Sequence, residues 1–343
     1  MRGVQDFPGR GFLGRAAAAG AIALALVVAA SSESVAAGRW SRPVRIDNRS
    51  PQVESISCPS TSFCEALDVF GHVMTFNGAR WSRPHKIDAN PAERSLSCAS
   101  RHFCAIVGNF VSGGEYGEAL TYHGRRWSQG QRVARDALTS VSCASSSFCA
   151  AVGEAGDALT YNGTQWTAPV LIDPARKNSE NPLPPIVFSV SCPSSAFCMA
   201  VDDAGRALRY NGTGWSAPVG ISPTLGFHAV SCSSSSFCVA LGGGAHPSSG
   251  TYAAIYNGAA WSTPTRIDPN GTLESVSCVA ASFCMAVGSQ ATVRPGGYAL
   301  TYNGTAWSAP HRVETRWVFA DVSCHSASFC VAVDNGGNAL TYN

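Results

Sequence analysis

Ser275-Val-Ser-Cys-Val-Ala-Ala-Ser-Phe-Cys-Met-Ala-Val-Gly288, followed after Gly297 by Tyr298-Ala-Leu-Thr-Tyr-Asn-Gly-Thr-Ala-Trp-Ser-Ala-Pro310, is one unit of a phrase that recurs through this chain. Its cysteines mark the period. They form seven C-x5-C pairs with none left over: Cys58 and Cys64, Cys98 and Cys104, Cys143 and Cys149, Cys192 and Cys198, Cys232 and Cys238, Cys278 and Cys284, Cys324 and Cys330. Successive first cysteines lie 40, 45, 49, 40, 46 and 46 residues apart, the length of a supersecondary unit that buries its apolar faces only against its neighbours.

Each unit divides into four short apolar runs. The first ends in S-V-S-C or a variant, the second begins F-C and runs to Asp or Gly, the third is A-L-T-Y, and the fourth reads W-S-x-P-x-x-I-D. Asn-Gly between the third and fourth is a hairpin signal, read as a type I′ turn in which both residues take positive φ. Proline in the fourth run fits an outer edge, where a missing amide donor breaks no ladder bond. The period and the four runs predict an all-β, seven-bladed β-propeller of four-stranded antiparallel blades. The ends of the chain predict its closure. The last unit stops at Asn343 after its third run, and Gly38-Arg-Trp-Ser-Arg-Pro43 is a fourth run with no blade before it. Joined, they complete the seventh blade and remove the seam that an open sheet would expose.

Residues 1–37 read as a secretory signal peptide: Arg2, Arg10 and Arg15 precede the uncharged run 16–30, and the small residues SSESVAA follow. Cleavage is expected near Ala37, with a retained anchor as the alternative; 38–343 is then the propeller. No later apolar stretch is long enough to span a bilayer, so no membrane insertion of the mature chain is expected. An even cysteine count in an exported chain reads as a disulfide framework, here one bond per blade closing a short loop. Zinc fits poorly, since structural sites pair shorter C-x2–4-C spacings or add histidines. No metal and no cofactor are expected. A net charge of +2 with 13% charged residues gives no overall footprint for nucleic acid.

The repeated tryptophans, Trp40, Trp81, Trp127, Trp166, Trp215, Trp261 and Trp307, read first as packing between blades and only second as sugar-stacking rings. Function is expected on the face carrying the loops between blades and those between second and third strands, because these vary while the opposite face is uniform. The long members are 173–187, 109–118, 243–252 and 289–298. Just ahead of each inner strand, at the mouth of the central channel, the units place Glu54, Arg94, Thr139, Phe188, His228, Glu274 and Ala320, with Trp317 and Asp321 beside the last. Glu54, Arg94, His228, Glu274, Trp317 and Asp321 are the candidate ligand contacts. Glu54 and Glu274 are also the candidate acids of a glycosidase-like pair, and their blades are read as separated by two others. No G-x-S-x-G, H-E-x-x-H or phosphate loop occurs. Asp202-Asp-Ala-Gly205 and Asp334-Asn-Gly-Gly-Asn338 read as turns rather than calcium loops.

The phrase S-V-S-C-x5-C-x-A-V with A-L-T-Y-N-G-T-x-W-S-x-P resembles the repeat of secreted bacterial Cys-paired propeller proteins, a likeness spanning 38–343. Recurrence of G-x-W-S is similar to tectonin-type propeller lectins, which implies a glycan ligand. The sialidase box is not matched, since N-G-T-x-W lacks its Asp, and the Gly-His and Trp-Asp marks of WD repeats are absent. The expected protein is a secreted or cell-surface monomer that binds carbohydrate, cell-wall polymer or an extracellular protein without catalysis. A polysaccharide hydrolase or lyase using the channel acids, and a structural surface protein, remain as alternatives.

Overall fold

The computed structural model describes residues 38–49, 52–87, 94–110, 116–174, 184–244, 250–290 and 296–343. The signal segment, and parts of all four long loops named above, lie outside the described residues. Seven four-stranded antiparallel sheets follow one another around a ring. In six of them the strands pair in chain order; the sixth, for example, is Thr272–Ala280, Phe283–Ser289, Gly297–Tyr302 and His311–Glu314. The seventh is completed from the other end of the chain. Val44–Arg45 pairs with Asn338–Tyr342, Trp40 bridges Tyr342, and Arg39 and Asn343 exchange backbone hydrogen bonds. The ring closes as the chain ends require.

The four runs become strands for identifiable reasons. Second strands such as Phe63–Asp68 and Phe197–Asp202 are buried along their whole length, because a middle strand has a blade on each side and so reads as a continuous apolar run. Apolar clusters alternate around the ring, each built from two adjacent blades: Val276, Cys284 and Leu300 of blade 6, for instance, pack on Val239 and Leu241 of blade 5.

Two local readings are corrected. The fourth run is not a continuous strand: its tryptophan forms an isolated bridge to the third strand, and after the proline only two to four residues pair again. The Asn-Gly turn is shifted by one residue. Asn303 N–H donates to Ala306 O at 3.2 Å, so the central pair is Gly304-Thr305, with Gly304 at φ 93°. The central pair is therefore Gly-x, with Asn303 just outside it, and not the Asn-Gly pair expected. Asn303 Oδ1 accepts the Thr305 and Ala306 N–H groups instead, the Asx-turn chemistry that short polar side chains favour.

All seven C-x5-C pairs are bonded within their own blades, with Cα atoms 3.9–4.1 Å apart. The bond joins facing residues of the first and second strands, as in Cys278 opposite Cys284. Each tryptophan packs on its blade's third-strand aromatic residue at 5.4–5.5 Å between ring centroids. In most seams a phenylalanine of the neighbouring blade stacks on that same ring, as Phe237 does on Tyr302. This packing accounts for the repeated tryptophans.

Candidate functional site

Inner strands of neighbouring blades do not share a backbone ladder, so something else must satisfy their inward amides. Serine does this. In the S-x-S-C motif the second hydroxyl accepts the N–H of the next blade's first cysteine, from Ser57 with Cys98 round to Ser323 with Cys58, at 2.9–3.0 Å in all seven seams. The first hydroxyl accepts the N–H two residues earlier, as Ser95 does from Val141 at 3.1 Å. The sequence reading missed this role, although the period-2 serines before every cysteine were its signal.

The first-serine ring has two exceptions. Ala229 offers no hydroxyl to the Val276 N–H. Asp321 replaces serine in blade 7. Its Oδ2 accepts from Ile56 N (2.8 Å) and Ser55 Oγ (3.4 Å), and its Oδ1 from Ser275 Oγ (2.6 Å) and its own neighbour's amide, Val322 N (2.8 Å). One carboxylate thus ties blades 6, 7 and 1 together. Enclosure of the carboxyl pushes its pKa up to about 6 against the pull of these four donors.

The channel-mouth column has a structural identity as well. Glu54, Thr139, Phe188, His228, Glu274 and Ala320 each fall where the register between first and second strands skips a residue. They are β-bulge residues, whose side chains are re-aimed away from the regular pleat. Arg94 differs: it pairs with Gly108 without a bulge. Thr139 Oγ1 donates to Val187 O of the next blade at 2.5 Å, and His228 Nε2 sits 2.7 Å from the equivalent Leu273 O. Since a carbonyl only accepts, Nε2 carries the proton it shares with Leu273 O, and Nδ1 has no hydrogen-bond partner among the described residues. Glu274, on the next blade, is exposed overall, but desolvation of its carboxyl raises its pKa, and the electrostatic pull of His228 partly offsets the rise. Phe188, on the blade before His228, is 38% exposed. Closure also corrects one spacing. Blade 7 alone separates the blades of Glu274 and Glu54, so only the small Ala320 stands between them in the column.

Trp317 lies apart from this arc. It is half-buried against Gly336, where a Cβ would come within 2.3 Å of its ring, and Arg316 covers it at 5.8 Å.

The acidic loops are turns, as expected. Asp334 Oδ1 accepts Gly336 N and Asn338 N, and Asp202 Oδ1 accepts Arg206 N. Behind them, fully buried acids meet across seams. Asp47 of blade 7 faces Asp68 of blade 1, with His72 Nδ1 at 2.8 Å from Asp68, and Asp173 of blade 3 shares Arg206 with Asp202 of blade 4. Burial and the neighbouring carboxyl hold the pKa of Asp173 well above the usual carboxylate range. Among the described residues no three His, Cys, Asp or Glu side chains are arranged to hold a metal ion.

The chain is a disulfide-fastened seven-bladed propeller whose bulge residues differ in chemistry from blade to blade. No protein-family model matches the chain, and no curated protein sequence matches it significantly. Its fold is similar to that of solved propellers. These include YCF48 bound to D1 peptide (TM-score 0.61, 12% identity, 88% of this chain and 96% of that one) and YCF48 from Cyanidioschyzon merolae (0.61, 13%, 89% and 98%). The WD40 repeats of RRP9 are similar too (0.64, 9%, 90% and 97%). At these identities the likeness is one of fold. Seven disulfides point to an oxidising, extracytoplasmic compartment.

Proposed function

We propose that the protein is an exported, non-catalytic binding propeller that recognises a carbohydrate or cell-wall polymer at the channel mouth. The carrying observation is the arc on blades 4 to 6: exposed Phe188, His228 anchored through Nε2 with Nδ1 open, and exposed Glu274. An aromatic face beside two groups that exchange hydrogen bonds suits a pyranose ring, which presents C–H on its faces and hydroxyls at its rim. The resemblance to tectonin-type lectins supports the same reading.

Retention of the oxidised protein on a panel of glycans and wall polysaccharides tests it. Replacing Phe188 and His228 with alanine together should reduce retention at least tenfold. Unchanged retention would move the site elsewhere, and binding only to a protein would replace the glycan by a protein ligand.

A second reading, polysaccharide hydrolysis or lysis, is favoured by one specific pairing. Glu54 and Glu274 stand one blade apart, and Glu274 holds its proton more tightly than an ordinary glutamate, as a general acid does. Release of fragments, abolished by both Glu54→Gln and Glu274→Gln, would establish it. A wild type that binds polymer and releases nothing would exclude it for that polymer.

A further inference from the structure

The seven-fold repeat stacks equivalent residues in rows around the outer wall, and three rows are basic on adjacent blades. Before the tryptophan stand Arg39 of blade 7, Arg80 of blade 1 and Arg126 of blade 2; the other four blades have uncharged residues there. Before the proline stand Arg42 and Arg83, again with no charge at that position in the remaining blades. Two residues after the proline, or at the matching place in blade 2, stand Arg45, Lys86 and Arg132, and this row continues as Arg266 and Arg312 on blades 5 and 6. All of these except the partly buried Arg312 are exposed. Blades 3 and 4 have Leu171 and Gly220 at this last position, and all three rows are basic together only on blades 7 and 1, with two of them on blade 2.

Ring closure creates this array. Arg39, Arg42 and Arg45 belong to the segment that completes blade 7, which brings them beside Arg80, Arg83 and Lys86 of blade 1. Between the two outer edges runs a groove of about 760 Å³ whose lining includes Arg45, Arg80, Arg83, Ser41, Trp81 and Asn343. Arg39, Arg42, Arg80 and Arg83 have no carboxylate partner among the described residues. Arg45 and Lys86 donate to carbonyls, those of Asp47 at 2.7 Å and Phe70 at 2.6 Å. Acids of the same blades are turned inward: Asp47 and Asp68 are fully buried and Glu65 nearly so. The surface here is therefore far more positive than a net charge of +2 suggests.

We propose that this wall and its groove bind an acidic polysaccharide, with the guanidinium groups on its carboxylate or sulfate groups and the groove holding a sugar unit against Trp81. Arginine forks pair with planar oxyanions in two bonds at once, and rows of them match the regular charge spacing of a polymer. The disulfides, which place the chain in an oxidising compartment, favour a glycan over nucleic acid. A groove whose lining includes an aromatic ring favours a chain over a flat lipid surface. This surface is separate from the channel mouth, and either can fail without the other.

The test uses oxidised full-length mature protein on immobilised polygalacturonate and dextran sulfate, with neutral dextran as control, at rising salt. Retention should be strong at low ionic strength and fall steeply as salt screens exposed charges. The variant Arg42→Gln, Arg80→Gln, Arg83→Gln should lose at least tenfold in affinity for the acidic polymers. A charge-matched variant outside the three rows, Arg135→Gln, Arg209→Gln, Arg316→Gln, all exposed, should stay within twofold of wild type. The mouth variant of Phe188 and His228 should also bind acidic polymer as wild type does, which separates this proposal from the preceding one. Equal loss in both arginine triples, or equal retention on neutral dextran, would overturn the proposal. Tighter binding to duplex DNA or to anionic phospholipid vesicles than to either acidic polysaccharide at the same salt would overturn the choice of partner.

Discussion

Glu65 provides a direct measurement of what a buried acid does to this ring. The residue after the second cysteine is Ala105, Ala150, Met199, Val239, Met285 or Val331 in the other blades, and glutamate only in the first. Glu65 is 5% exposed. It faces the seam with blade 2, near Tyr122, and burial pushes its pKa up to about 7 despite a hydrogen bond with Thr75. The folded protein therefore holds this proton more tightly than the unfolded chain does. Its contribution to stability is fully present below about pH 4.5 and is lost as the pH rises through 7. Each pH unit in that interval is worth about 1.4 kcal/mol, which gives a loss of about 3 kcal/mol by pH 8.5. Glu65→Gln keeps the shape and the Thr75 partner but cannot ionise. Scanning calorimetry at pH 4 and pH 8.5, disulfides intact, should find the variant level with wild type at the lower pH. At the higher pH it should melt about 5 °C above wild type, the shift that about 3 kcal/mol gives a domain of this size. Parallel pH profiles for the two proteins would refute the reasoning, because they would mean that Glu65 is solvated in the native state.

The serine rings make two further predictions. Ala229→Ser supplies the missing acceptor for Val276 and should stabilise by about 1 kcal/mol in urea titration; no gain would mean that amide is already satisfied. Asp321→Ser restores the repeat and removes an acid whose proton is held up to about pH 6, so its melting temperature should exceed wild type's at pH 8 and lose that advantage near pH 4. A variant less stable at both values would show that the carboxylate's links to blades 6 and 1 outweigh its burial. For the disulfides, removal of one pair by Cys278→Ala with Cys284→Ala should lower stability by about 2 kcal/mol, the chain-entropy value for so short a loop, without opening the ring. Loss of cooperative unfolding would contradict blade-by-blade fastening.

The sequence alone determined the architecture, because what fixes a propeller is local and repeats. C-x5-C spacing, the Trp and Tyr positions and the orphan fourth strand at residues 38–43 each recur or close by count, and the seven disulfides follow from adjacency along the chain. Tertiary structure decided what depends on neighbours brought together from afar. Glu54 and Glu274 are 220 residues apart, and only closure through blade 7 sets them one blade apart around Ala320. The mouth residues share a β-bulge, a feature of strand register that no single run displays. The serines of S-x-S-C bond to amides 41 to 50 residues further along the chain, or across the closure, so their role is invisible without the adjoining blade. Charge illustrates the same division. Acids and bases nearly cancel in the composition, yet folding buries Asp47, Asp68, Asp173, Asp202, Asp268 and Asp334 completely while leaving the arginines of three outer edges in water. A net charge sums over residues irrespective of solvent, whereas a binding surface is made only of those that the fold leaves outside.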